Sequence, residues 1–261
     1  MKSVIICEGN TDLLLIQYFL EKVYSWEYIE EKKRKEYDPG IINKIKAGGN
    51  VKWLKHPDGN ILCILPAGGV TRIPEMLTKI LDLNKLGTVK QFDRIAIITD
   101  RDEANTQQDF IVTLERKFTE FAVSFSSDIA HNEWNSASYI NDIQDKGNIE
   151  CLLLIILFED TGAIETFLLD ALSKKSEIDD ALQIDKCVIE QCRQFVNTID
   201  CKDKYLRRRR EQTKAKFDTV FAVMSPMDAF SERRTLLRSI PWEQYESIQN
   251  GFRKLSKLSA E

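Results

Sequence analysis

Three short apolar runs, each closed by a polar turn and followed by a stretch of helical period, constrain this chain more than any other feature. Val4-Ile5-Ile6-Cys7, Ile61-Leu62-Cys63-Ile64-Leu65 and Ile95-Ala96-Ile97-Ile98 lack the polar alternation of a half-exposed strand. Runs of this kind are strands buried on both faces. The first is followed by Leu13, Ile16, Phe19, Leu20 and Val23, spaced for one face of a helix over residues 12–24. The second leads through Pro66-Ala67-Gly68-Gly69 into a helix over 72–83. The third leads into a helix over 106–121 with Phe110, Leu114, Phe118 and Phe121 on one side. Strands alternating with amphipathic helices predict an α/β fold, a mainly parallel sheet with helices on both faces. Residues 132–141 and 151–158 read as two further strands around a Lys146-Gly147-Asn148 turn, and 163–172 as a helix.

Beyond about Ser173 the strand signal vanishes. Residues 179–199, 203–224 and 242–258 read as helices, and no Gly/Ser/Pro-rich linker precedes them. The expectation is an α/β domain over 1–172 with a charged insertion at about 27–58, and a helical C-terminal region over 173–261 packed on it. With 43% hydrophobic and 30% charged residues in 261, the composition supports a full core. The longest apolar run, Cys151 to Phe158, falls short of the roughly 20 residues a membrane helix needs. No signal-peptide pattern opens the chain, so a cytoplasmic protein is expected.

Side-chain inventory narrows the chemistry. Only two histidines occur, His56 and His131, in unrelated contexts, which argues against a histidine zinc centre or a Ser-His-Asp triad. The six cysteines form no CxxC pair and read as buried thiols. Carboxylates, lysines and hydroxyls are left. In an open parallel sheet, ligands bind outside the carboxyl ends of the strands. Glu8 and Asp12 follow the first strand, Asp100 and Asp102 end the third, and Glu165 opens the helix after the run at 151–158. Residues two apart on extended chain point to the same side, so Asp100 and Asp102 can address one ion. So many like charges in one place call for a cation, and Mg²⁺ takes one or two carboxylates with water and phosphate oxygens.

A strand ending Glu8-Gly9-Asn10-Thr11-Asp12, a strand with a Gly68-Gly69 turn and a strand ending Asp100-Arg101-Asp102 together resemble a TOPRIM domain. The closest likeness is to small stand-alone TOPRIM-like proteins related to the OLD-family nucleases. Those carry a Gly-x-x-Glu helix, matched by Gly162-Ala163-Ile164-Glu165, and a lysine-bearing helix, matched loosely by Lys214-Ala215-Lys216-Phe217. The resemblance covers roughly the first two-thirds of the chain, and the long 27–58 connection departs from it. It implies a Rossmann-like TOPRIM fold and a Mg²⁺- or Mn²⁺-dependent phosphodiester hydrolase acting on DNA or RNA, in defence against phage or mobile elements. Glu8, Asp100 and Asp102 would hold a first ion, and Asp12 and Glu165 would support a second. Glu8 could act instead as general acid or base, and Lys214 would stabilise charge on the transferring phosphorus. Nucleic acid is the partner implied. Any nucleotide control would need a separate ATPase, because no ATPase motif is present, and a homodimer is allowed.

Other features carry two readings each. Gly68-Gly69 could cradle a phosphate or allow close backbone packing. Arg207, Arg208, Arg209 and Arg210 could contact nucleic-acid phosphates or form a solvated face. The four tryptophans could stack on bases or anchor long connections. Two other functions stand beside the nuclease: a non-catalytic TOPRIM-fold regulatory or binding module, suggested by the net charge of −4, and a phosphoryl-transfer enzyme on a small substrate.

Overall fold

The computed structural model describes residues 1–30, 32–33, 37, 51–87, 92–100, 106–156, 163–178, 183–202, 204–226, 237–238 and 240–259. The chain divides into two compact units, residues 1–155 with 253–261, and residues 156–252. The expected boundary at 172 falls inside a helix of the second unit.

In the first unit, β1 (Lys2–Cys7), β2 (Glu27–Tyr28), β3 (Lys52–Lys55), β4 (Ile61–Pro66), β5 (Arg94–Asp100), β6 (Ser124–Phe125), β7 (Trp134–Ile140) and β8 (Lys146–Ile156) form one sheet, ordered β2-β3-β4-β1-β5-β8-β7-β6. The three apolar runs are its centre. β1 pairs in parallel with β4 and with β5. Around that trio the ladders β2–β3, β3–β4, β6–β7 and β7–β8 are antiparallel. The expected mainly parallel sheet is thereby corrected: four of its ladders are antiparallel, against the parallel ladders of β1 with β4 and with β5. β3 and β4, and likewise β7 and β8, are joined by connections too short for the helical crossover that parallel neighbours require.

Alternation along the central strands sorts the core. Val4, Ile6, Cys63, Leu65, Ile95 and Ile97 face α2 (Ile73–Leu86) and α3 (Thr106–Glu120), packing with Met76, Leu77, Ile80, Leu114 and Phe118. Ile5, Leu62, Ile64, Ala96 and Ile98 are equally buried and point to the other face, where α1 (Asn10–Val23) lies against β4. The charged 27–58 connection contains β2 and β3, whose Trp53 and Leu54 are fully buried; residues 38–50 lie outside the described residues. Trp26 and Trp242 are buried too, so these three tryptophans anchor the chain rather than offer a face to bases.

The turn expected at 146–148 is instead part of β8. Gly147 pairs with Tyr139, whose ring would lie only 2.3 Å from a Cβ placed there. This glycine admits a ring over a strand and makes no turn. The reversal comes at 141–145, where Asn141 Oδ1 accepts the Asp145 N–H at 2.8 Å.

Residues 253–258 return to the first unit as 3-10 turns with Leu255 and Leu258 fully buried. Arg94 Nε donates to Glu150 Oε2 at 2.9 Å, Arg94 Nη1 donates to the Lys257 carbonyl, and Lys257 Nζ pairs with Glu150 Oε1. Trp134 Nε1 donates to the Lys254 carbonyl at 2.9 Å.

The second unit is helical: α4 (Ile164–Ile178), α5 (Gln183–Ile199), α6 (Arg209–Met224), a 3-10 turn at Trp242–Gln244 and α7 (Glu246–Phe252). α4, α5 and α6 pack on one another. Phe217, Val220 and Phe221 give α6 its buried face, while Val223 is 53% exposed.

Candidate functional site

The central trio sets the acids. Cys7 is paired with Ile98 on β5 and with Pro66 on β4. Glu8, next along β1, and Asp100, the last residue of β5, therefore leave the sheet at the same carboxyl end of adjacent strands. Glu8 is 5% exposed and Asp100 is partly buried. Thr99, between Ile98 and Asp100, is buried.

Glu8 is fixed by its own backbone. The N–H groups of Gly68 and Gly69 both donate to the Glu8 carbonyl at 2.9 Å, and the Ala67 N–H donates to the Cys7 carbonyl at 2.8 Å. Gly69 adopts φ 131° and ψ 152°, a region essentially reserved for glycine. The two glycine amides are thus committed to β1, which decides between the readings of Gly68-Gly69 in favour of close backbone packing over a phosphate cradle.

Asp12 is buried and accepts the Gly9 N–H on Oδ2 at 2.9 Å, closing the first turn of α1. It lies beside the same strand end. Burial first, then the charges of Asp12 and Glu8, push the Cys7 thiol well above its ordinary pKa.

Among the described residues, no three His, Cys, Asp or Glu side chains gather as a metal site. Asp102 lies outside the described residues, within 101–105. Glu165 is buried in the first turn of α4, in the second unit. Of the five expected ligands, Glu8 and Asp12 stand at the end of β1 and Asp100 at the end of β5, its parallel neighbour. Glu8 and Asp100 suit a hard cation that draws its remaining ligands from water and phosphate oxygens.

Lys214 is half-buried on α6, and Arg207, Arg208, Arg209 and Arg210 are exposed just before and in its first turn. The amine of neighbouring Lys216 is held below its ordinary pKa, by burial first and then by the Arg193 guanidinium. Arg193 pairs with Asp170 at 2.6 Å. Sequence reasoning passed over Tyr205, whose signal was an aromatic set inside a basic run.

A parallel three-strand core with acids at its carboxyl end defines the chain as an α/β protein whose acidic strand end is its candidate site. The chain belongs to the family described as Protein of unknown function (DUF3226), whose model matches residues 2–234. Among solved structures, the hypothetical protein PH0156 from Pyrococcus horikoshii OT3 is similar over 98% of this chain and 98% of its own, at 17% identity and a TM-score of 0.53. That likeness is one of fold alone. A glyoxalase/dioxygenase from Nostoc punctiforme aligns over 56% of this chain and 88% of its own, at 13% identity and a TM-score of 0.19, too low to carry an argument. No curated protein matches the chain. Among the described residues, no helix is long and apolar enough to cross a membrane.

Proposed function

We propose that the protein is a cytoplasmic, divalent-metal-dependent phosphodiester hydrolase of TOPRIM type acting on DNA or RNA. The observation that supports this most is the placement of Glu8 and Asp100 at the same end of adjacent parallel strands, with the Gly68-Gly69 backbone strapped to Glu8. Glu8 and Asp100 would hold one Mg²⁺ or Mn²⁺, joined by Asp102. The bound ion would neutralise phosphate charge and supply a reactive water at neutral pH. Glu8 is suited to its role because its backbone is pinned by two hydrogen bonds, so its carboxylate starts from a fixed origin. Asp12 holds Gly9 and thereby the direction in which the chain leaves β1. Asp12 is engaged as the α1 cap, so the ion proposed is the one that Glu8 and Asp100 would share.

The test is a cleavage assay on plasmid, single-stranded DNA and tRNA in millimolar Mg²⁺ or Mn²⁺, wild type beside Glu8→Gln. Cleavage by the wild type, with a loss of two or more orders of magnitude in Glu8→Gln, is the expected result. Equal activity in both proteins, or none in the wild type with either metal, overturns the proposal.

A further inference from the structure

Between α5 and α6 the chain makes a loop whose backbone is held from both ends. The Asp200 carboxylate accepts the N–H groups of Lys204 at 3.0 Å, Tyr205 at 2.6 Å and Leu206 at 2.7 Å. From the α6 side, Gln212 Nε2 donates to the Leu206 carbonyl at 3.0 Å and the Arg208 N–H donates to Glu211 Oε2 at 2.9 Å. These bonds fix a loop that carries little apolar burial of its own. On it the Tyr205 ring stands 70% exposed, with Lys204 Nζ 4.8 Å from the ring centroid. Arg207, Arg208, Arg209 and Arg210 follow, all exposed.

The local charge is opposite to that of the whole chain. Between Asp200 and Lys216, eight basic residues (Lys202, Lys204, Arg207–Arg210, Lys214 and Lys216) face three acidic ones (Asp200, Asp203 and Glu211), in a protein of net charge −4. A charge run alone is usually a solvated face. Here it is joined to an aromatic ring presented to water from a backbone already ordered, so little entropy remains to be lost on binding.

We propose that residues 204–210 form a docking surface for single-stranded nucleic acid, with Tyr205 stacking on an unpaired base and the arginines contacting the flanking phosphates. A single strand fits better than a duplex because its base faces are open to an exposed ring, and stacking tolerates any base. The cations supply the backbone attraction that such binding requires. The surface deepens the hydrolase reading, on which its role as a substrate site rests. Binding itself is measured in EDTA, where cleavage plays no part.

The experiment is fluorescence anisotropy of the full chain with labelled 20-nucleotide oligothymidylate and oligouridylate and with a blunt duplex, at several salt concentrations. One or both single strands should bind at least tenfold more tightly than the duplex. Tyr205→Ala should weaken that binding roughly 5- to 150-fold, the range for losing one stacked base, while Tyr205→Phe keeps it. Combining Arg207→Ala with Arg210→Ala should lower the salt slope by about 0.7 for each phosphate no longer neutralised. A ring this exposed contributes little to folding, so equal melting temperatures confirm that Tyr205→Ala reports binding. Duplex preference, absence of saturable binding at low salt, or Tyr205→Ala binding like wild type overturns the proposal. A protein that binds single strands through Tyr205 yet cuts nothing overturns the hydrolase reading alone. One that cuts nucleic acid while Tyr205→Ala binds unchanged overturns this surface alone.

Discussion

Replacing Glu150 by Gln should destabilise the first unit substantially, because it takes the counter-charge from a buried guanidinium while keeping the shape. The Arg94 side chain is 6% exposed and that of Glu150 28%. Losing the charge-assisted bond from Arg94 costs about 1.5–3 kcal/mol, and leaving a buried charge without its counter-ion moves the total toward the roughly 3–5 kcal/mol seen for broken buried pairs. Lys257, more exposed, adds no more than about 1 kcal/mol. A loss near 3 kcal/mol corresponds to about 6–12 °C in melting temperature for a domain of this size. Calorimetry, which can separate the transitions of two units, is the assay. Adding Arg94→Met should restore at least half of the loss, since an apolar pair of similar volume removes the stranded charge. The effect also has a pH signature. Burial works to raise the Glu150 carboxyl, but the hydrogen bonds from Lys257 and Arg94 outweigh it and hold the pKa below its ordinary 4.5. A depressed carboxylate stabilises the fold above its unfolded pKa and loses that contribution as pH falls through the folded value. The gap between wild type and Glu150→Gln should therefore be full at pH 7 and close below about pH 4. A Glu150→Gln protein melting within a degree of wild type at pH 7, or a double variant less stable than the single one, would refute the reasoning.

Gly69→Ala should lower the melting temperature by a few degrees and reduce cleavage. A Cβ there meets nothing within 4 Å, so the loss of about 1–3 kcal/mol comes from the backbone conformation alone, and its relaxation frees the Glu8 carbonyl; unchanged melting shows that the loop adapts without strain. Millimolar Mg²⁺ or Mn²⁺ should raise the melting temperature over that in EDTA, by about 2.7 kcal/mol of stabilisation at a hundred times the dissociation constant. Asp100→Asn should lose most of this gain, and identical melting of the wild type with and without metal removes the cation from the proposed mechanism.

The centre of the fold was legible because its signal is local and redundant. β1, β4 and β5 are unbroken apolar runs, and helical spacing delimits α2 and α3 within a few residues. Their order as parallel neighbours followed from the same alternation, and with it the placement of Glu8 and Asp100 at one end of the sheet. The edges were less legible for particular reasons. β3 is four residues long and carries lysine at both ends, so it resembled the charged connection around it. Gly147 looked like a turn because the ring covering it comes from the partner strand. Residues 253–258 read as a helical end, since their tie to Arg94 and Glu150 spans more than a hundred positions and leaves no periodic trace. Periodicity reports which residues want burial, not which distant partner buries them. The strand-end positions of Glu8, Asp12 and Asp100 were legible in the sequence, whereas Asp102 lies outside the described residues.

The return of residues 253–258 to the first unit has a consequence for biosynthesis. A ribosome delivers β1 to β8 first, then the whole helical unit, and only then the segment that buries Leu255 and Leu258 and brings Lys257 to Glu150. At about 5–20 residues per second, the intervening stretch of roughly a hundred residues takes on the order of 5–20 s. Throughout that interval the nascent sheet exposes the apolar surface that Leu255 and Leu258 will cover. The helical unit can complete itself in order of synthesis, whereas the sheet unit waits for it. A premature stop anywhere in the helical unit would therefore harm the sheet before it, and such products are natural clients for chaperones and proteases.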